Sequence, residues 1–213
     1  PSISTVLKKF EIVKSKLSQE GLIDDSLRKK LPKYPHSIGI LTSVPSSALA
    51  DMLRTSKERW PLTKLQIIPI PVQGDNANKL KSILSKLKKN KLKLEALIIA
   101  RGGGSREDLM LFDSEIIARE IATFPIPVIT GIGHEDDLTV ADLVSDHRSA
   151  TPTAAIVDLL PSREIEKNKF LQNKKILKDY LKLFFQNTMK SLITKKSFFK
   201  SHSPRLLIKN KRT

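Results

Sequence analysis

The sequence predicts an α/β fold, with a mostly parallel sheet and flanking helices, followed by a long C-terminal coiled-coil-like helix. Apolar runs of strand length alternate with helical patterns four times in the first 160 residues. Such alternation is typical of a parallel sheet with right-handed crossovers. After residue 160, neither a glycine nor a strand-like run occurs. We therefore expect two domains, an α/β domain at 1–160 and a basic helical arm at 161–213.

Apolar spacing and helix breakers place the individual elements. In the first helix four apolar residues recur at helical intervals, and Gly21 is placed to end it. Asp75 can cap a lysine-rich helix, and Ser105 with Asp108 forms a capping box for another. Helices are expected at 6–17, 24–31, 47–60, 76–90 and 106–123, and strands at 37–42, 65–70, 96–100 and 126–130.

The C-terminal arm begins after a break at Pro161 and Ser162. Its apolar residues form a heptad-like seam, which is typical of a coiled coil: Phe170, Leu177, Leu181, Phe184, Leu192 and Phe199. The arm has too few apolar residues to form a globular core, so we expect it to pair with another helix.

The charge of the chain is concentrated in the arm. The net charge is +16, and residues 161–213 carry fifteen Lys or Arg against three acids, or +12 of it. This asymmetry favours a polyanionic partner, nucleic acid before membrane, although a solvated lysine-rich helix face explains it equally well. Cysteine is absent, which excludes disulfides and thiolate metal sites and suits a cytoplasmic location. We find neither an apolar run long enough to span a bilayer nor a signal-peptide pattern.

Two glycine-containing loops carry the strongest functional signal. Each follows an apolar run that reads as a buried strand, and together the loops at 101–105 and 131–137 hold five of the eight glycines. Both are expected at the carboxyl ends of parallel strands, where ligands bind in open α/β sheets. A phosphate or another oxyanion is therefore expected against the first loop, at Gly102, Gly103, Gly104 and Ser105.

Four ionisable residues are expected near this edge of the sheet: Asp51, Arg101, His134 and Asp137. A guanidinium directly after a buried strand is costly unless it binds a carboxylate or a phosphate. A histidine beside carboxylates can act as a general acid or base near neutral pH. The two aspartates can orient the histidine or hold a divalent ion such as Mg²⁺.

Each of these residues also has a purely structural interpretation. Arg101 can pair with Asp108 or Asp113, and the acids after His134 can belong to a helix start. Asp51 has no local signal of its own. A dinucleotide site is excluded because the third glycine of its motif is missing, and no Gly-Lys-Ser or Gly-Lys-Thr of a P-loop occurs.

Taken together, these motifs resemble the large subunit of bacterial exodeoxyribonuclease VII. The resemblance extends to about Pro161 and rests on several stretches: Arg101-Gly-Gly-Gly-Ser with Glu107-Asp108-Leu109 and Phe112, Pro127-Val128-Ile129, Gly133-His134-Glu135 with Asp137, Thr139 with Ala141-Asp142, Ala150-Thr151-Pro152-Thr153-Ala154-Ala155, Glu20-Gly21-Leu22 with Leu31-Pro32, Ile40-Leu41-Thr42-Ser43 and Val72-Gln73-Gly74.

The resemblance implies hydrolysis of single-stranded DNA from both 5′ and 3′ ends, with release of oligonucleotides. It also implies several copies of a small helical subunit as partners, a role in DNA repair, and catalytic roles for Asp51, Arg101, His134 and Asp137. Asp136 stands where the family has threonine, which adds a charge beside His134.

Two expectations concern what surrounds this region in the family. The β-barrel domain that precedes it in family members has no counterpart here, and the arm is shorter, so the chain is expected to be a piece of a larger subunit. The other function class that we considered is a non-catalytic α/β module that binds nucleic acid or a phosphorylated ligand.

Overall fold

The computed structural model describes residues 3–71, 76–89, 93–103, 106–133 and 137–201. The chain divides into two compact units, Pro1–Arg163 and Glu164–Thr213. In the first unit the helices are α1 (Ile3–Gln19), α2 (Ser47–Arg59), α3 (Ala77–Lys89), α4 (Glu115–Ala122), α5 (Val140–Val144) and α6 (Pro152–Leu159). Its strands are β1 (Ser37–Thr42), β2 (Lys64–Pro69), β3 (Ala96–Arg101), β4 (Val128–Ile132) and β5 (His147–Arg148). The remaining long helix is α7 (Arg163–Ser201).

The five strands form one parallel sheet in the order β2-β1-β3-β4-β5. The predicted parallel sheet and the long C-terminal helix are thus confirmed. From β1 the chain goes outward to β2, returns to β3 and then goes outward in the other direction through β4 to β5. The order of strands therefore reverses between β1 and β3. In open α/β sheets the crevice beside such a reversal, at the carboxyl ends of the strands, is where ligands bind. We call this side of the sheet the carboxyl edge.

Apolar side chains bury both faces of the sheet, as the continuous apolar runs in the sequence require. The large cluster includes Leu97 and Ile99 of β3 and packs against α1, α3, α4 and α5. The small cluster includes Ile98 and Ala100 of the same strand and packs against α2 and α6. Alternate residues of β3 therefore face opposite layers of helices.

One predicted helix, 106–123, is wrong as a single element. The chain forms a 3₁₀ helix at Arg106–Asp113, breaks at Ser114 and continues as α4. Leu109 and Phe112 are both fully buried, and a spacing of three residues places them on one side of a 3₁₀ helix. Asp113 ends the segment, and its Oδ1 accepts a hydrogen bond from the Val140 amide at 3.1 Å.

The predicted helix at 24–31 is also mostly absent. Only Asp25–Leu27 form a short 3₁₀ turn. The next residues leave the helical path because the Lys29 amide donates a hydrogen bond of 2.6 Å to Asp146 Oδ1, which lies 117 residues further along the chain. A contact between such distant residues cannot be seen in local sequence patterns.

Strand β4 is displaced by two residues from the prediction, so Gly131 belongs to the strand rather than to the loop after it. The elements α5, β5 and α6 were not predicted separately. The expected caps at Asp75 and Ser105 lie outside the described residues.

Helix α7 spans 39 residues and buries none of the side chains that the structure describes in it. All six residues of the predicted seam are more than two-fifths exposed. The pairing of this helix with another remains a prediction. No helix within the described part of the chain is long and apolar enough to cross a membrane.

Candidate active site

Arg101 is the last residue of β3, the central strand of the sheet. Its side chain is only 6% exposed, an unusual degree of burial for a guanidinium. Because side chains alternate along the strand, Arg101 projects to the same face as Leu97 and Ile99, towards the large cluster. The guanidinium therefore lies on the face of the sheet that the large cluster covers, at the carboxyl edge.

Asp137 lies close to Arg101 through the neighbouring strand. Arg101 is paired with Ile132 at the end of β4. The next residue, Gly133, has φ +73°, and a Cβ placed on it would lie 3.0 Å from the Asp137 Cβ. The half-buried Asp137 thus folds back onto the end of β4, so the structure brings these two predicted site residues to adjacent strand ends.

His134 lies between Gly133 and Asp137, but outside the described residues. The described segments on both sides of it are firmly placed. On the amino side Gly133 ends the sheet, and on the carboxyl side Thr139 caps α5 with a capping box to Asp142. The bond from Val140 to Asp113 fixes the same helix start to the 3₁₀ helix. The position of His134 itself stays a prediction.

The glycines of the two loops have different structural reasons for being glycine. A Cβ on Gly131 would approach Thr151 O to 2.8 Å and Pro152 Cα to 3.1 Å, because the start of α6 packs directly on β4. Gly133 is required by its positive φ. Neither position needs a ligand to explain it, so these two glycines do not support the expected oxyanion.

Gly102 is different, because its nearest neighbour would be Ala48 Cβ at an ordinary contact distance of 3.4 Å. Packing therefore does not exclude a side chain at this position. Gly103 is exposed, while Gly104 and Ser105 lie outside the described residues. Binding of a phosphate against Gly102 and Gly103 stays a prediction.

Asp51 lies on α2, one turn after Ala48, whose Cβ is the nearest atom to a Cβ placed on Gly102. It stands in the second turn of α2, half exposed, and its Oδ1 accepts a hydrogen bond of 2.8 Å from Arg54 Nη2. Helix α2 contributes Met52 to the small cluster, so it covers the opposite face of the sheet from the one to which Arg101 projects. Nothing in the local sequence indicates on which face a helix lies.

The described residues contain no group of three or more His, Asp or Glu side chains that could hold a metal ion. The expected Mg²⁺ ligands Asp51 and Asp137 belong to different layers of the fold, and the acids next to His134 lie outside the described residues. Metal binding by Asp51 and Asp137 therefore stays a prediction.

The structure also points to a polar residue that the sequence did not single out. Thr42 is fully buried at the carboxyl end of β1, and its Oγ1 makes no hydrogen bond to any residue that the structure describes. Its strand borders the reversal in strand order. Its position at the end of the first strand is the only sequence signal that could have identified it.

Comparison with known proteins assigns the chain to a family. A family model described as exonuclease VII, large subunit, matches residues 22–213. The chain is similar to proteins named exodeoxyribonuclease 7 large subunit from Synechococcus sp. (strain CC9311), with 58% identity over 84% of this chain and 47% of the relative, and from Carboxydothermus hydrogenoformans, with 44% identity over 89% of this chain and 40% of the relative.

A further relative of that name, from Synechococcus sp. (strain CC9902), is 50% identical over 96% of this chain and 53% of its own length. The chain thus spans about half the length of the curated relatives that it matches. The match covers the carboxyl edge with Arg101 and Asp137 as well as α7. The chain therefore belongs to the exonuclease VII large-subunit family.

Proposed function

We propose that this chain is the catalytic part of an exodeoxyribonuclease that hydrolyses phosphodiester bonds of single-stranded DNA. It acts from both 5′ and 3′ ends and releases oligonucleotides. The observation that carries the proposal is the buried guanidinium of Arg101, which ends the central strand at the edge where α/β sheets bind ligands. The names of the relatives supply the substrate class.

Phosphodiester hydrolysis needs positive charge on the phosphate, a base for the attacking water and an acid for the leaving oxygen. In the proposed mechanism Arg101 binds the scissile phosphate through its planar fork of N–H donors. The amides of Gly102 to Ser105 assist by donating to the phosphate oxygens. Together they stabilise the charge that develops on the phosphorus oxygens.

His134 is the proposed general acid or base, and Asp137 orients its imidazole. Asp51 is the proposed fourth member, as a further orienting group or as a ligand of Mg²⁺ together with Asp137. The ion pair of Asp51 with Arg54 must open for either role. The helical arm is the proposed binding region for several copies of a small subunit, and the complex works in DNA repair in the cytoplasm.

The test is cleavage of end-labelled single-stranded DNA by the chain co-expressed with a small subunit, with and without EDTA. His134→Ala is expected to lower the rate on the order of a hundredfold to ten-thousandfold because it removes the proton-transfer group. Arg101→Lys is expected to lower it about a hundredfold, since a point charge cannot replace the bidentate fork. The cleavage rates of Asp51→Asn and Asp137→Asn then show what each aspartate contributes.

Matched controls are His36→Ala and Arg28→Lys. His36 is exposed at the amino end of β1, and Arg28 makes an exposed ion pair of 3.0 Å with Asp25. Both controls should cleave like the wild-type chain. Full activity in His134→Ala, together with retained DNA binding, would instead favour a module that binds nucleic acid without cleaving it.

A further inference from the structure

Helix α3 has a charge pattern unlike that of the other long helices. It carries five lysines and no acid: Lys79, Lys81, Lys86, Lys88 and Lys89. The other three described helices longer than ten residues, α1, α2 and α7, all contain acids that can offset their cations. A solvated surface normally mixes both signs, so this face has an excess positive charge that solubility does not require.

Among the residues that the structure describes, an acid pairs with one of the five lysines. Lys88 Nζ lies 2.6 Å from Glu120 Oε2 and donates to Thr123 Oγ1 at 2.8 Å. The other four side chains are exposed and form no ion pair with any residue in the described part of the chain. We call these four, Lys79, Lys81, Lys86 and Lys89, the α3 lysine face.

The start of α3, with Lys79 and Lys81, lies at the edge of the sheet that holds the candidate active site. The helix follows β2, so it begins at the carboxyl edge, and it buries Leu80 and Leu84 in the large cluster, on the face to which Arg101 projects. Lys79 and Lys81 stand in its first two turns, where the partial positive charge of the helix end already disfavours a cation. The start of α3 is therefore strongly positive at the edge that holds Arg101.

The exposed positions of α3 favour one class of partner. They are Asn78, Lys79, Lys81, Ser82, Lys86 and Lys89, with no apolar residue among them. A helix that binds a membrane surface presents apolar side chains for insertion, and α3 presents none. Lysines without apolar neighbours are suited to a flexible polyanion with evenly spaced charges, such as a nucleic-acid backbone.

We propose that the α3 lysine face binds the phosphate backbone of single-stranded DNA and guides the strand to Arg101. This inference rests on the proposed nuclease function. The contacts are independent of sequence, because lysine meets phosphates as a point charge. They contribute to substrate affinity and leave the chemical step unchanged, since the lysines do not touch the scissile phosphate.

The test compares two fourfold variants with the wild-type chain, all in complex with the small subunit. One is Lys79→Gln, Lys81→Gln, Lys86→Gln and Lys89→Gln, and the matched control carries Lys30→Gln, Lys57→Gln, Lys64→Gln and Lys93→Gln, which lie outside both α3 and α7. Both variants remove four exposed charges, and glutamine has a helix propensity close to that of lysine. Unchanged Tm values verify that both variants are folded.

The readout is binding of labelled oligothymidylate at 50 and 200 mM salt. If all four lysines contact phosphates, the slope of log K against log salt falls by about 3 in the α3 variant. The ratio of the wild-type binding constant to that of the α3 variant is then roughly fiftyfold smaller at 200 mM than at 50 mM salt. The matched control is expected to keep the wild-type slope, and the cleavage rate at saturating DNA is expected to stay unchanged in both variants.

Three results would overturn the inference: a wild-type slope in the α3 variant, an equal loss in the matched control, or no DNA binding by the wild-type complex. The equal loss would assign binding to net charge rather than to α3. The cleavage assay keeps the two proposals apart. A complex that binds through α3 but does not cut refutes the nuclease function alone, whereas cutting without any contribution of α3 refutes this inference alone.

Discussion

Gly131 and Gly102 show how similar residues in the two loops differ in their structural role. Gly131→Ala is expected to lower the free energy of unfolding by about 1–3 kcal/mol, because its Cβ would meet backbone atoms of Thr151 and Pro152 at 2.8 and 3.1 Å. Neither backbone atom can move aside without shifting α6. Urea unfolding of the purified chain measures the change.

Gly102→Ala is the control for this prediction. The nearest atom to its Cβ would be Ala48 Cβ at 3.4 Å, so the expected change in unfolding free energy is within about 0.5 kcal/mol. Equal losses in both variants would mean that the backbone after β3 is as closely packed as β4, which would remove the case for a ligand beside Gly102.

At the scale of residues, the sequence predicted that Arg101 and Asp137 lie near the ends of strands but not what surrounds them. Arg101 and Asp137 follow apolar runs, and the end of a strand is a local signal. The packing of Thr151 on Gly131 joins residues twenty positions apart, and the face on which Asp51 lies depends on the winding of the whole sheet. Such contacts between distant residues cannot be predicted from a short window of sequence.

At the scale of elements, a group of charged side chains joins α1 to α4. Arg119 donates to both carboxylate oxygens of Glu20 at 2.6 and 2.8 Å, and its Nε donates to Glu115 at 2.9 Å. Lys16 Nζ lies 2.7 Å from the same Glu115 oxygen. The hydrogen bond from Arg119 lowers the pKa of Glu20, and those from Lys16 and Arg119 lower the pKa of Glu115.

A lowered carboxyl pKa stabilises the fold above the unfolded value of 4.5, and this stability is lost as the pH falls through the folded value. We therefore expect Arg119→Gln to lower Tm slightly at pH 7, and the difference from wild type to shrink below pH 4.5. Thermal unfolding followed by circular dichroism from pH 7 to acid measures it. The effect is small because these groups are exposed.

Arg28→Gln is the control for this experiment, since the ion pair that Arg28 forms within the described part of the chain is an exposed one with Asp25, three residues away. The Tm of Arg28→Gln should equal the wild-type value at every pH. A difference between Arg119→Gln and wild type that is the same at every pH would show that Arg119 acts by packing its alkyl chain and not by its charge.

The elements that the sequence predicted well are those with a strong apolar period, such as β1, β3, α2 and α7. The 3₁₀ helix at Arg106–Asp113 was merged with α4, because Ser114 is a weak break and the tie from Asp113 to Val140 lies 27 residues away. The short elements α5 and β5 have too few residues for any period to be recognised.

At the scale of the whole molecule, the core of the α/β unit is complete without α7. Every buried apolar side chain in the described residues precedes Arg163. A chain that ends at Ser162 is therefore expected to keep its Tm within about 2 °C of the full chain. Differential scanning calorimetry of the two chains tests this, and a fall of more than about 5 °C would show that α7 supports the sheet.

The same truncation is expected to change the tendency to associate. Helix α7 exposes many large apolar residues, among them Phe170, Phe184 and Phe199, and such surfaces favour association. Sedimentation velocity should show concentration-dependent association of the full chain and a monomer for the truncated one. A monomeric full chain at all concentrations would contradict this expectation.

The carboxylate of Asp146 has a consequence for how the protein is made. It accepts hydrogen bonds from the amides of Lys29 at 2.6 Å and Val128 at 2.8 Å, and so holds an early and a late segment together. A ribosome adding about 5–20 residues per second needs roughly 6–23 s to pass from Lys29 to Asp146. During synthesis, the hydrogen bond from Lys29 to Asp146 therefore cannot form until nearly the entire α/β unit has emerged from the exit tunnel.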